Sequence, residues 1–156
     1  MERGLLNFLI YSFIAILTLM FSQCSKEDAE TKQIQEYVYK NYEIEIPHNI
    51  KRIYILNDSG CGNCILTFSE FVKNNINDHE SMVIINSRGA NIDLEGFENK
   101  RKSNSNIVIS HNVISNTQDL FYKSGVALFK GAVLDSIIRI TPDSLIEQLD
   151  YIKNIH

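Results

Sequence analysis

The chain reads KRIYILNDSGCGNC at residues 51–64, and this stretch decides the fold. The apolar run Ile53–Leu56 predicts a buried strand, and the turn residues after it lead into two cysteines separated by two residues. From Cys61 onward, apolar side chains recur every three or four residues, which predicts an amphipathic helix of about four turns. We therefore expect Cys61 and Cys64 in the first turn of a helix that follows a buried strand.

The position of this pair indicates redox chemistry. The exposed N–H groups at the start of a helix, together with the positive end of its dipole, favour the thiolate form of a cysteine. A thiolate at Cys61 attacks a disulfide, and the thiol of Cys64, one turn later, can resolve the mixed disulfide that forms. A stabilising crosslink is a weaker explanation, because a loop this short adds little chain-entropy stabilisation.

The rest of the chain predicts an α/β fold. In chain order, the patterns predict a helix at 30–42, an edge strand at 43–46, strands at 51–57 and 82–85, a weak helix at 91–99, a strand at 107–109, a short helix ending near 122, a hairpin of strands at 126–129 and 133–140, and a last helix starting at 141–142. This order indicates a mostly parallel sheet with an antiparallel hairpin at one side.

A C-x-x-C motif after a strand in such a unit is typical of thioredoxin-like redox proteins. The chain resembles the thioredoxin-like superfamily over about 51–155, on the strand residues Tyr54–Leu56 before the cysteines and on Leu128–Gly131 at the hairpin. It is most similar to exported, membrane-attached thiol–disulfide oxidoreductases. The resemblance implies a central mixed sheet with a C-terminal antiparallel hairpin and a terminal helix, Cys61 as the attacking thiol and Cys64 as the resolving thiol.

Three positions differ from the family pattern. Gly60 stands where the family usually has an aromatic residue, and Ile55 stands where many members have a buried carboxylate. The family also has a cis-proline at the start of the hairpin, whereas this chain has a non-proline residue there, within 124–126. We expect a trans peptide bond at that position, because a cis bond before a non-proline residue costs about 3 kcal/mol. These differences favour an alternative function, a thioredoxin-like module that binds a partner without turnover.

The apolar pattern of residues 1–23 predicts a signal peptide. Leu5–Phe21 contains 17 residues without a charge, fewer than the roughly 20 that usually span a bilayer. The segment ends in FSQC, which resembles the lipobox of bacterial lipoproteins and implies lipidation of Cys24. An uncleaved signal anchor is the alternative. We expect residues 24–31 to form a lipidated tether and residues 32–156 to form the thioredoxin-like domain.

Charge and location restrict the partners. The formal net charge of the chain is −4, so it has no electrostatic reason to bind nucleic acid. With Cys24 lipidated, the expected location is the bacterial cell envelope, at the outer membrane and facing the periplasm or the surface. The expected partners are disulfides of exported proteins or another redox protein. We expect a monomer that uses no cofactor.

Metal binding is a third hypothesis. Zinc requires four ligands, so the two thiols would need two more. The candidate ligands are the histidines of the chain: His48, His79, His111 and His156. Copper(I) suits soft thiolate ligands, and Cys61, Cys64 and His111 would resemble the site of copper-delivery proteins of this fold. We favour thiol–disulfide exchange without a metal.

Overall fold

Five strands form one mixed sheet in the computed structural model, which describes residues 29–76, 79–111 and 122–155. In the described residues, four α-helices accompany this sheet. The predicted signal peptide, Cys24 and the predicted short helix that ends near 122 lie wholly or mainly outside the described residues.

The elements follow the predicted order closely. They are α1 at 29–42, β1 at Arg52–Asn57, α2 at Gly62–Asn75, β2 at Ser81–Asn86, α3 at Leu94–Arg101, β3 at Ile107–Ser110, β4 at Gly125–Lys130, β5 at Val133–Arg139, a 3₁₀ turn at Pro142–Ser144 and α4 at Leu145–Asn154. Not one described helix has the length and apolar character needed to cross a membrane.

The sheet has the strand order β3-β2-β1-β4-β5. The central strand β1 pairs with β2 in parallel, with Ile55 opposite Ile84, and β2 pairs with β3 in parallel. On the other side, β4 runs antiparallel to β1 and forms a hairpin with β5. The prediction of a parallel centre with an antiparallel hairpin at one side is confirmed.

Helices cover both faces of the sheet, because successive side chains of a strand point to opposite faces. One face contacts α2, α3 and α4; its core contains Tyr54 and Leu56 of β1 and the fully buried Phe68 of α2. The other face contacts α1, and its core contains Ile53 and Ile55 of β1. Burial on both faces explains why β1 reads as a continuous apolar run.

The predicted edge strand at 43–46 is wrong, because these residues form no strand. Ile44 and Ile46 are half-buried and pack against the core under α1, whereas the glutamates beside them are exposed. The alternating pattern therefore arises because every second side chain packs against the core. The backbone pairing that defines a strand is absent from these residues.

The folded part of the chain begins before the predicted boundary between residues 31 and 32. Helix α1 already includes residues 29–31, and Thr31 is buried. The Thr31 hydroxyl accepts a hydrogen bond from the backbone N–H of Leu134 in β5, at 2.8 Å. The end of the predicted tether is thus part of the domain, because it packs against the outer edge of the sheet.

Glu43 ends α1 in the left-handed backbone conformation, with φ 57°, and its N–H donates to the Tyr39 carbonyl at 2.8 Å. Glycine adopts this conformation without the steric cost of a Cβ atom. We expect Glu43→Gly to raise the free energy of unfolding by about 0.5–1 kcal/mol in a urea titration. The control is Glu45→Gly, two residues later, where φ is not positive and no gain is expected. Equal effects of the two substitutions would contradict this explanation.

Candidate functional site

The two cysteines lie where the carboxyl end of the central strand meets a helix. Strand β1 ends at Asn57, and Cys61 is the N-cap residue of α2, with φ −71° and ψ 111°. Cys64 lies in the first turn of α2. Gly60, just before the pair, has φ +128°, a conformation that other residues rarely adopt. A glycine at residue 60 avoids the strain that a side chain would cause in this conformation.

The environments of the two thiols differ. Both are free thiols; Cys61 is exposed, whereas only 8% of Cys64 is exposed. A hydrogen bond from the Cys64 thiol lowers the pKa of Cys61 below its ordinary value, and the backbone N–H groups of Cys64 and Asn63 act in the same direction. The interaction with the neighbouring thiol is the largest of these causes.

The pKa of Cys64 moves in the opposite direction. The hydrogen bond to Cys61 is the largest cause of the raised pKa of Cys64, and burial is the next. The negative charges of Cys61 and Asp143 raise this pKa further. The pair therefore consists of an exposed thiol of lowered pKa and a buried thiol of raised pKa. This is the asymmetry that an attacking thiol and a resolving thiol require.

The reactivity of Cys61 should depend on Cys64. Only the thiolate reacts with iodoacetamide, so the alkylation rate of a cysteine rises as the pH passes its pKa. A lowered pKa of Cys61 therefore moves this rise to lower pH. We expect Cys64→Ala to shift the midpoint of the pH–rate profile of Cys61 upward, because the donating thiol is removed. The control is Leu66→Ala, at an exposed position of α2, which should leave the midpoint unchanged. An unchanged midpoint in Cys64→Ala would contradict the assigned cause.

A cavity of about 190 Å³ lies beside the pair. Three stretches of chain line it: residues within 59–65, residues 122–124 before β4, and residues 140–142 before α4. A larger cavity, of about 390 Å³, lies between α1 and residues 45–48. Because the larger cavity contains no thiol, the smaller one is the candidate site.

Ser124 directly precedes β4, the first strand of the hairpin. It lines the cavity, whereas Gly125 and Val126 belong to β4 and do not line it. The β1–β4 ladder reaches Gly125, which pairs with Ile55. The peptide bonds at this position are trans as expected, since no cis peptide bond occurs among the described residues.

Ile55, at the strand position that often carries a carboxylate in the family, points away from α2. It lies in the core under α1, on the opposite face of the sheet from Cys64. The β1 side chains on the α2 face are Tyr54 and Leu56, which are both buried and carry no carboxylate. A proton acceptor for Cys64 is therefore absent from both faces of β1.

The proposed copper ligands do not come together. Among the described residues, no group of three or more histidine, cysteine, aspartate or glutamate side chains could hold a metal ion. Among these residues, His111 therefore does not complete a three-ligand group with Cys61 and Cys64. His48 and His79 also lie outside any such group, and His156 is not among the described residues.

A second loop beside the pair is held by Asp58, in the turn after β1. The Asp58 carboxylate accepts hydrogen bonds from the hydroxyl of Ser87, from Arg88 N–H at 3.0 Å and from Asn91 N–H at 3.3 Å. Loop 87–91 is thereby fixed to the turn that carries the cysteines. The sequence identified residues 57–60 only as a turn, so this role of Asp58 was missed.

The chain was compared with protein-family models, with curated proteins and with solved structures, and none of them matches it. The site described above is therefore the basis for assigning a function.

Proposed function

We propose that this chain is a thioredoxin-like thiol–disulfide oxidoreductase that acts on exported proteins through Cys61 and Cys64. The observation that carries the proposal is the asymmetry of the pair: an exposed thiol of lowered pKa lies one turn before a buried thiol of raised pKa. The lipobox-like sequence FSQC supports attachment of the protein to the cell envelope through Cys24.

The exchange proceeds in two steps. The Cys61 thiolate attacks one sulfur of a substrate disulfide, and the other substrate sulfur leaves as a thiolate and takes up a proton. Cys64 then loses its proton and attacks the Cys61 sulfur, which forms the Cys61–Cys64 disulfide and releases the second substrate thiolate. Two electrons pass from the pair to the substrate in each cycle, and an external thiol reductant must restore the pair.

The topology supports a thioredoxin-like identity for the α/β fold. The pair lies at the carboxyl end of the central strand β1, the hairpin of β4 and β5 completes the sheet beyond β1, and the terminal helix packs on the same face as α2. Ligands of open α/β sheets bind beside the carboxyl ends of strands, which is where the cavity lies.

A second candidate is a binding module that holds a partner without turnover. It is favoured by the lack of a carboxylate on either face of β1, because the Cys64 thiol then has no proton acceptor in the strand beneath it. The two candidates differ in one respect: only exchange passes through a covalent bond between Cys61 and a partner.

Trapping in the cell envelope separates the candidates. A Cys64→Ser variant cannot resolve the mixed disulfide, so disulfide adducts with partner proteins should accumulate on Cys61. These adducts should be visible on a non-reducing gel and removed by dithiothreitol. The matched control is the double variant Cys61→Ser, Cys64→Ser, which has no attacking thiol and should give no adducts. Absence of adducts in the single variant would reject exchange and support the binding module.

A further inference from the structure

Four hydrogen bonds join the end of β1 and the turn after it to the residues before β4. The Ser59 hydroxyl donates to the Tyr122 carbonyl at 2.6 Å, and Asn57 Nδ2 donates to the same oxygen at 3.0 Å. The Ser124 hydroxyl accepts from Asn57 N–H at 3.0 Å and donates to the Asn57 carbonyl at 3.1 Å. We call these four residues, Asn57, Ser59, Tyr122 and Ser124, the polar clamp.

The polar clamp begins where backbone pairing stops. The β1–β4 ladder runs as far as Ile55 and Gly125, and the side chains of the clamp continue the connection beyond it. The Ser124 carbonyl also accepts from Ile140 N–H at 2.9 Å. All three stretches around the cavity are therefore held at a fixed spacing, and residues 122–124 form one wall of the cleft that contains Cys61.

Because thiol–disulfide exchange is the proposed function, this inference rests on it. We infer that Ser59 is a positioning residue, whose hydroxyl holds the wall at 122–124 so that the cleft accepts a disulfide within an extended polypeptide segment. The cavity beside the pair has a volume of about 190 Å³, which can receive one side chain next to a substrate disulfide. The residues of the substrate that flank this side chain then lie against the wall.

Small disulfides do not need this wall, because Cys61 is exposed. Ser59 lies outside both hydrophobic cores, so removal of its hydroxyl leaves the fold intact and leaves Asn57 Nδ2 as the remaining side-chain donor to the Tyr122 carbonyl. The effect of Ser59 on the exchange rate should therefore depend on the size of the substrate, which a merely structural role would not produce.

The test compares two disulfides with the reduced protein. One is a linear peptide in a mixed disulfide, and the other is hydroxyethyl disulfide. For Ser59→Ala, we expect the second-order rate constant with the peptide to fall about fivefold to tenfold, as expected for one lost hydrogen bond, and the constant with hydroxyethyl disulfide to fall less than about twofold. Ser59→Thr, which keeps a hydroxyl, should restore the rate with the peptide.

The matched control is Ser103→Ala. Its hydroxyl also donates to a backbone carbonyl, that of Lys100 at 3.0 Å, but Ser103 is exposed, lies just after α3 and should affect neither rate. An unchanged rate of Ser59→Ala with the peptide, or equal losses with both disulfides, would overturn the inference alone. If the parent protein exchanges with neither disulfide, the proposed function fails and the inference fails with it.

Discussion

The Cys61→Ser variant is expected to lose thiol–disulfide exchange, with a rate lower than that of the parent by about a hundredfold or more. The reason is that Cys61 is the exposed thiol of lowered pKa, so the variant lacks the sulfur that a substrate disulfide can reach from solvent. The measurement is the rate at which the reduced protein cleaves a peptide disulfide, followed by the release of free thiol.

The comparison with Cys64→Ser makes this prediction specific to the first step. That variant keeps the attacking thiol, so it should form the mixed disulfide once at a measurable rate and then stop, whereas Cys61→Ser should not form it. If Cys61→Ser cleaves the peptide disulfide as fast as the parent, the assigned roles of the two cysteines are wrong.

The Gly125→Ala variant is expected to lose about 2–3 kcal/mol of the free energy of unfolding, the upper part of the range for an overpacked interior site. A Cβ atom at Gly125 would lie 2.4 Å from the carbonyl oxygen of Ile138 and 3.3 Å from Cα of Arg139. Both neighbours are backbone atoms of β5, so no side-chain rotation relieves the contact. The hairpin must separate locally, and a urea titration of the reduced protein measures the loss.

Gly131→Ala is the matched control, in the turn of the same hairpin. Gly131 has φ +63°, and a Cβ atom there would meet nothing within 4 Å. Its replacement should cost about 1 kcal/mol from backbone strain alone. If Gly125→Ala is no more destabilising than Gly131→Ala, close packing of β4 against β5 is not the reason that residue 125 must be a glycine.

The elements around the cysteines could be predicted because their signals are local. The apolar run of β1 and the three- and four-residue spacing along α2 each lie within one element, so no long-range information is needed. The segment 43–46 shows the limit of such patterns: its alternation matched a strand, but a strand also needs a pairing partner, and the sequence does not say where one lies.

The candidate site was predictable only in part, for the same reason. Cys61 and Cys64 are neighbours in the sequence, and their different surroundings follow from the helix that carries them. By contrast, Ser59 and Tyr122 are 63 residues apart, and their hydrogen bond depends on the register of β4 against β1. Serine in a turn is common, so its residue type alone does not indicate a role in the site.

The bond between Thr31 and Leu134 affects how copies of the protein behave together. Strand β5 lies at the rim of the sheet, where unused backbone donors offer a template for a strand of another molecule. The Thr31 hydroxyl occupies one of these donors, and α1 packs beside it. A protein trimmed to start at residue 32 would keep most of α1 but would leave the Leu134 N–H without this acceptor, and this donor could then pair with a strand of another copy.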